Sequence, residues 1–276
     1  MSNKLKKAAI YMYKAKQLYN RCRVQAYSAQ AAFFLMFSAV PVIMLSVIVF
    51  NYLFPFDLTI VDRFLSEIFV SDVRQNVIKI YGEILSHSTM PLASITTIFL
   101  VWAASKGVRS IGSGIAQIYD CTANYNMIQL NFRYAVYTVI MIVISLISVV
   151  VLVFTSPLQT YAEDLFGEKA KFILTLINMR NIIFFITFTI LFAIAYKFLT
   201  RNTLTFFQQI PGAAIASGGW LLFSYGFSIY IKYISHYSKI YGSLGAVMLF
   251  MLWLYMCMNI LLCGALFNRI RVKGCK

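Results

Sequence analysis

Long uncharged stretches separated by short charged groups dominate the hydrophobic pattern of this chain. The hydrocarbon core of a bilayer is about 30 Å thick and needs about 20 apolar helical residues to cross it. Cutting the sequence at its charged residues leaves windows at 24–56, 84–105, 134–162, 181–196, 202–231 and 240–268. All but the short fourth window reach that length, and none alternates with the two-residue period of a barrel strand.

The windows predict an all-α, polytopic membrane protein built as a bundle of six transmembrane helices. We expect residues 1–276 to form a single integral membrane domain. The predicted spans cover about 29–50, 91–105, 134–156, 180–197, 210–231 and 243–266. Residues 57–88 repeat apolar side chains at helical spacing, which predicts amphipathic helices on the extracellular or periplasmic side. These helices would cap the bundle or, alternatively, form a substrate vestibule.

Composition and charge agree with a membrane location. The chain is 61% hydrophobic and 12% charged, whereas soluble domains contain about 25% charged residues. With the N-terminus inside, 16 of the 24 lysines and arginines fall on inner segments, so the positive-inside rule places both termini in the cytoplasm. The same asymmetry explains the net charge of +15 by attraction to anionic lipid, without a nucleic-acid partner. The basic tail consists of Arg269, Arg271, Lys273 and Lys276.

Residues 1–26 predict an amphipathic helix on the cytoplasmic membrane surface. Basic residues recur every seven positions and apolar residues, including Tyr19, occupy another face, which suits the lipid interface. The alternative is a solvated basic tail. Two more cations follow the second span, beside Gly112 and Gly114, which permit a bend or a close backbone approach. We predict contacts with lipid headgroups at Lys7, Lys14, Arg21, Lys106 and Arg109.

Two polar residues are candidates for substrate binding. Arg180 opens the short fourth window, where it either extends to the outer headgroups or, inside the bundle, binds an anionic lipid or small-molecule substrate. Asn259 is an amide in the middle of the apolar sixth span. It either contacts substrate or is satisfied by another helix.

The fifth and sixth spans are rich in small residues, which let helices approach closely. A tightly packed hairpin is one interpretation of this pattern. The other is a mobile or broken helix pair around a site at the membrane midplane, as in many transporters. The residues assigned to helix packing or gating are Pro41, Pro211, Gly212, Gly219, Gly226, Gly242 and Gly245.

Catalytic and metal-binding patterns are missing from the sequence. The two histidines, His87 and His236, are far apart, and neither HExxH nor GxSxG occurs. The five cysteines include no C-x-x-C pair, so neither a zinc site nor a disulfide framework is expected. Only Asp120 among the nine acidic residues falls on an inner segment. We therefore expect no enzyme activity, metal or cofactor.

The sequence resembles the YihY/BrkB family of bacterial inner-membrane proteins over about residues 20–270. The segments that carry it are RVQAYSAQAAFFLMFSAVPVIMLSV, IFLVWAASKGVRSIGSGIAQIYD, QQIPGAAIASGGWLLFSYGFSIYI and YGSLGAVMLFMLWLYMCMNILLCGALFNRI. Its most specific parts are Pro-Gly-Ala at Pro211–Ala213 and Tyr-Gly-x-Leu-Gly-Ala at Tyr241–Ala246. It implies six spans in the plasma membrane and membrane lipids as partners. Members of the family were once labelled ribonuclease BN. Others are discussed as transporters or as proteins linked to the movement of envelope lipids. Where the family often has Gly-Ala-Glu, this chain has Gly264, Ala265 and Leu266.

The function expected from this resemblance and from the charge-poor spans is transport or lipid translocation across the inner membrane. The alternative is a membrane scaffold that organises envelope proteins or lipids without transporting anything. A continuous polar cavity would favour transport, whereas a solid apolar interior would favour the scaffold.

Overall fold

The computed structural model of the protein describes residues 13, 15–53, 90–119, 128–144, 180–199, 204–233 and 237–273. Within this part of the chain, all regular secondary structure is helical, which confirms the all-α prediction. The helices are α1 (residues 15–21), α2 (Val24–Leu53), α3 (Met90–Ile118), α4 (Ile128–Ile144), α5 (Arg180–Phe198), α6 (Phe206–Tyr233) and α7 (Tyr237–Lys273).

Three segments of these helices are long and apolar enough to cross a membrane: Val24–Leu45, Phe206–Ile231 and Val247–Val272. Shorter apolar helices occupy Ile128–Ile144 and Phe184–Phe198. The described residues therefore establish a helical protein with membrane-spanning candidates. The count of six spans stays a prediction.

The predicted spans differ from the helices in their bounds. The second was expected to end at Ser105, but α3 continues to Ile118, because its glycines are packed within the helix and do not end it. Of the third span, residues 134–144 belong to α4, and residues 145–156 lie outside the described part. The amphipathic outer helices predicted for residues 57–88 also lie outside it.

A break divides the N-terminal segment that was expected to be one helix over residues 1–26. Helix α1 ends at residue 21, and α2 begins at Val24. Between them Arg23 has a φ of 48°, a left-handed conformation that cannot continue a right-handed helix. The Arg23 amide donates to the Asn20 carbonyl at 3.0 Å and closes the turn. Residues 1–12 lie outside the described part.

The glutamine half of a capping box starts α6. The side chain of Gln208 accepts a hydrogen bond from the Thr205 amide at 2.9 Å, and the Gln208 amide donates to the Thr205 carbonyl at 3.1 Å. Threonine followed three residues later by glutamine is the sequence signature of this motif, which satisfies donors that the first turn leaves open. The box fixes the start of α6 just before Pro211 and Gly212.

The chain folds into two compact units. The first comprises Met1–Met36, Ser105–Thr138 and Asn181–Lys276, and it contains the packing of α6 along α7. The second comprises Phe37–Ala104 and Val139–Arg180.

In the second unit, α2 and α3 each bury polar as well as apolar side chains. Pro41 is buried within α2 and does not end that helix. Ser38 and Thr96 are buried, as is Leu100, and the rings of Phe99 and Trp102 lie 5.7 Å apart.

A series of aromatic rings connects α5, α6 and α7 inside the first unit. Phe188 and Phe192 stack on α5 with centroids 5.8 Å apart, and Trp220 of α6 lies 5.5 Å from Phe192. Trp220 meets Trp253 of α7 edge to face at 5.9 Å. Because such pairs add about 0.5–1.5 kcal/mol each beyond burial, this series fixes the three helices against one another.

Candidate functional site

Helices α6 and α7 cross at two glycines. A Cβ atom at Gly264 would lie 2.5 Å from the Gly212 carbonyl oxygen and 2.8 Å from Ala216 Cβ. A Cβ atom at Gly212 would in turn overlap the Gly264 carbonyl oxygen and the Asn268 amide. Only glycine permits this approach, so the crossing point is set by the backbones themselves.

A buried polar cluster surrounds the crossing. Asn268 Oδ1 accepts a hydrogen bond from the Gly212 amide at 2.8 Å, and its Nδ2 donates to the Gln209 carbonyl at 2.9 Å. The side-chain oxygen of Gln209 accepts a hydrogen bond from the Tyr119 hydroxyl at 2.7 Å. Tyr119, Gln209 and Asn268 are all buried. The cluster joins the end of α3 to the start of α6 and the end of α7.

Arg269 extends the same cluster. Its Nη1 donates to the Ile118 carbonyl, and the residue is only 5% exposed. The sequence analysis had grouped Arg269 with the basic tail. The structure instead buries it against the last turn of α3, where the cation satisfies a carbonyl that a helix end leaves open.

Sequence reasoning missed this polar cluster. Its signal in the sequence was weak: Gln209 and Asn268 each lie at the edge of an apolar window and look like interfacial residues. Only the tertiary pairing across 59 positions identifies them as buried partners.

Asn259 lies where α1 meets α7. The Tyr19 hydroxyl donates to Asn259 Oδ1 at 3.0 Å, and the Cys263 thiol points to the same oxygen at 3.7 Å. Burial raises the pKa of Tyr19 above 10.0, although the hydrogen bond to Asn259 opposes this shift. Tyr19 therefore stays protonated near neutral pH and acts as a donor.

A groove of about 420 Å³ opens beside Asn259. Its walls come from α1, α6 and α7, and none of the described residues that line it is charged. The lining includes Ala15, Ile215, Gly219, Met256, Ile260 and Phe267. We call it the Asn259 groove. Because its polar surface comes chiefly from a single amide, the groove suits an apolar ligand with one hydrogen-bonding group.

A second cavity of about 280 Å³ lies between α2 and α7. Its lining is apolar apart from the Tyr255 side chain, and it consists of Ala29, Ala32, Met248, Met251, Leu252 and Tyr255. Among the described lining residues, Tyr255 is the one with a polar side-chain group.

The other residues predicted for packing or gating occupy varied environments. A Cβ atom at Gly219 would lie 3.0 Å from Ile260, whereas one at Gly226 would meet nothing within 4 Å. Pro211 lies inside α6, Gly242 belongs to α7, and Gly245 is buried. Their roles stay predictions.

The predicted headgroup contacts are placed only in part. Arg21 and Lys106 are exposed, and Arg109 is exposed with its Nη2 donating to Asn131 Oδ1 at 3.0 Å. Lys7 and Lys14 lie outside the described residues. Arg180 is the first residue of α5, but its side chain lies outside the described part, so binding of substrate there stays a prediction.

No three histidine, cysteine, aspartate or glutamate side chains come together as metal ligands among the residues that the structure describes. Cys22, Cys257 and Cys263 are thiols. The Cys22 thiol lies 3.6 Å from the Gln117 carbonyl oxygen, where it joins the end of α1 to α3. His87 and His236 lie outside the described residues.

Comparison with known proteins identifies relatives over almost the whole chain. The family model described as "Virulence factor BrkB" matches residues 15–273. A ribonuclease-like protein, YfkH, of Bacillus subtilis (strain 168) is 25% identical over 261 residues, which cover 94% of each chain. No solved structure matches the chain.

Other relatives are longer proteins named as membrane proteins. A UPF0761 membrane protein of Chlorobium phaeobacteroides (strain BS1) is 26% identical over 89% of this chain and 56% of its own length. Another, of Paraburkholderia xenovorans (strain LB400), is 35% identical over 27% of this chain and 17% of its own length. This chain thus spans about half of the Chlorobium protein.

Proposed function

The chain belongs to the virulence factor BrkB family, and on that premise we propose that this membrane protein moves lipids across the bacterial plasma membrane. The observation that carries the proposal is the Asn259 groove. It lies on α6 and α7, both of which contain segments able to span a bilayer. A groove with apolar walls at such a place is reached by acyl chains and not by water-soluble molecules.

The chemistry of the spans supports lipid as substrate over an ion. Proton and ion relays in membranes use ionisable side chains, whereas the described residues that line the Asn259 groove carry no charge. Asn259 itself supplies a neutral amide. A lipid moving along α7 would exchange hydrogen bonds with this amide while its chain stays in apolar surroundings.

Reconstitution tests the proposal directly. The full chain is placed in liposomes that contain a fluorescent phospholipid, and a membrane-impermeant reductant reports how much label reaches the outer leaflet. We expect faster exchange than in protein-free liposomes, slowed by Asn259→Leu and unaffected by Gly218→Ala, whose added methyl group would make an ordinary contact of 3.7 Å with Phe185. Exchange no faster than in protein-free liposomes would reject lipid translocation and leave the membrane scaffold as the function.

We also propose that both termini face the cytoplasm, which the distribution of lysine and arginine supports. Reporter fusions at the C-terminus test this orientation. A cytoplasmic fluorescent protein should be bright there, and a periplasmic phosphatase should be inactive. The opposite pattern would reverse the topology.

The proposed function is not enzymatic, although the relative YfkH is called ribonuclease-like. Metal-dependent cleavage needs acidic or histidine ligands around the metal, and this sequence assigns nearly all of its acidic residues to outer segments. The purified protein should leave RNA intact when Mg²⁺ or Mn²⁺ is supplied. Cleavage that co-purifies with the protein through two further columns would contradict this.

A further inference from the structure

We infer that the Asn259 groove binds the ester-linked part of a lipid acyl chain, with Asn259 Nδ2 donating a hydrogen bond to the ester carbonyl oxygen. The inference rests on the proposed function and names the chemical class of its substrate. It also assigns Tyr19 as the residue that positions the amide.

The oxygen and the nitrogen of the Asn259 side-chain amide differ in their hydrogen-bond partners. Its Oδ1 accepts from Tyr19 at 3.0 Å and faces the Cys263 thiol at 3.7 Å. Among the described residues, Nδ2 has no acceptor. In that part of the chain, Ser28 Oγ is the single side-chain atom that is both buried and without a partner. Asn259 Nδ2, which also lacks a partner, is therefore not fully buried. Asn259 is one of the residues that line the groove, and we place its open donor there.

An open donor in apolar surroundings selects its ligand. A polar group that is removed from water without a partner is unfavourable, so a ligand that brings an acceptor to Nδ2 gains more than one that brings only hydrocarbon. Within a lipid, the ester carbonyl is the uncharged acceptor attached directly to an acyl chain. A phosphate would bring a charge that none of the described lining side chains balances.

The apolar walls match the rest of such a ligand. Ile215 and Ile260 lie on the two helices that flank the groove, and Phe267 lies two turns beyond Asn259 on α7. A chain that leaves an ester at Nδ2 would pack its methylene groups on these side chains. The volume of about 420 Å³ falls in the range of about 300–1,000 Å³ typical of ligand sites.

Helix α1 holds the amide in place. Ala15 lines the groove, and Tyr19, one turn later, bonds to Asn259. In this arrangement Tyr19 donates to Oδ1, which leaves Nδ2 as the part of the amide that is available to a ligand. Tyr19 is thus a positioning residue that need not touch the lipid.

The test compares two lipids that differ only in the linkage. Native mass spectrometry of the full chain in detergent measures the binding of ester-linked phosphatidylglycerol and of its ether-linked analogue, which has the same chains and headgroup but no carbonyl. We expect the ester lipid to bind about fivefold more tightly, as one neutral hydrogen bond would give. The same ratio is expected for phosphatidylcholine, because the groove is uncharged.

Three variants test whether the preference for ester-linked lipid depends on the side-chain amide of Asn259. Asn259→Leu should lower ester binding to the level of ether binding and leave ether binding unchanged. Tyr19→Phe should reduce the ester preference only in part, since the amide remains but is no longer held. Gly226→Ala, whose site touches nothing, should keep the wild-type ratio.

Equal binding of ester and ether lipids by the wild-type protein would overturn the inference, and this comparison needs no variant to fold. An ester preference that survives in Asn259→Leu would overturn it as well. Lipid exchange in liposomes without an ester preference would leave the proposed function standing and remove this site. An ester preference in binding, without lipid exchange in liposomes, would support the ester site and contradict lipid translocation as the function.

Discussion

Gly212 and Gly264 contact each other through their backbones where α6 crosses α7. A methyl group on Gly264 would approach the Gly212 carbonyl oxygen to 2.5 Å and the Tyr196 hydroxyl to 2.6 Å. That hydroxyl itself donates to the Leu261 carbonyl at 2.6 Å. The neighbours on both sides are thus backbone or hydrogen-bonded groups that cannot move aside at low cost.

Gly264→Ala should therefore destabilise the protein. Alanine is the better helix former by about 1 kcal/mol, but here its Cβ forces α6 and α7 apart, and overpacking of this kind costs about 1–3 kcal/mol. We expect a lower midpoint of thermal unfolding in detergent, followed by circular dichroism.

Gly226→Ala is the matched control for that variant. Gly226 lies in the same pair of helices, yet its added methyl group would meet nothing within 4 Å. Its midpoint should equal or exceed that of the wild type because only the helix propensity changes. A similar loss of stability in both variants would show that the crossing does not depend on the glycine contact.

Part of this crossing follows from the sequence, and part does not. The spacing of Gly212 and Ala216 places them on one face of α6, and both do lie against α7. The sequence could not fix the register of the partner helix, where Gly264 makes the contact, because helical periodicity describes each helix alone. Gly226, assigned to helix packing or gating with Gly212, meets nothing within 4 Å of an added Cβ atom, and its role stays a prediction.

The buried polar cluster was beyond prediction for a similar reason. Tyr119 and Gln209 are 90 positions apart, and each looks like an ordinary residue at the edge of a span. Their burial results from the packing of three helices. Helix identity and apolar faces are local properties, whereas a hydrogen-bonded pair of this kind exists only in the folded chain.

Asn268→Leu should lower stability by leaving the groups around it without partners. Leucine has a similar size but can neither accept from the Gly212 amide nor donate to Gln209. Buried polar groups left unsatisfied cost about 1–3 kcal/mol. Thermal unfolding of Asn268→Leu, Tyr119→Phe and the double variant measures the coupling between these sites.

Gln209 forms hydrogen bonds with both Tyr119 and Asn268. The losses of stability in the two single variants should therefore not be additive. The double variant should be less destabilised than the sum of the single variants, by more than the roughly 0.3–0.5 kcal/mol scatter of independent sites. Strict additivity would mean that the cluster does not act as a unit.

Alkaline pH should weaken the attachment of α1 through Tyr19. Burial raises the pKa of this phenol above 10.0 in the folded protein, so folding favours its protonated form. Its contribution is therefore complete below pH 10 and is lost as the pH rises through the raised pKa. The difference in unfolding midpoint between wild type and Tyr19→Phe should be constant up to about pH 10 and should shrink above it.

Tyrosinate absorbance gives an independent readout of the same group. Subtracting the titration curve of Tyr19→Phe from that of the wild type should leave the signal of one tyrosine, which ionises at a higher pH than free tyrosine. A difference curve centred at or below pH 10 would mean that Tyr19 is not buried against Asn259.

Substitutions at Arg23 test whether the break between α1 and α2 depends on its left-handed backbone. At a φ of 48°, a side chain costs about 1 kcal/mol that glycine avoids, while glycine also gives the unfolded chain more freedom. Arg23→Gly should therefore leave the unfolding midpoint unchanged or raise it. Arg23→Val should lower the midpoint, because β-branched residues are poorly tolerated at positive φ. Equal midpoints for the two variants would show that the turn relaxes freely and does not fix α1 against Asn259.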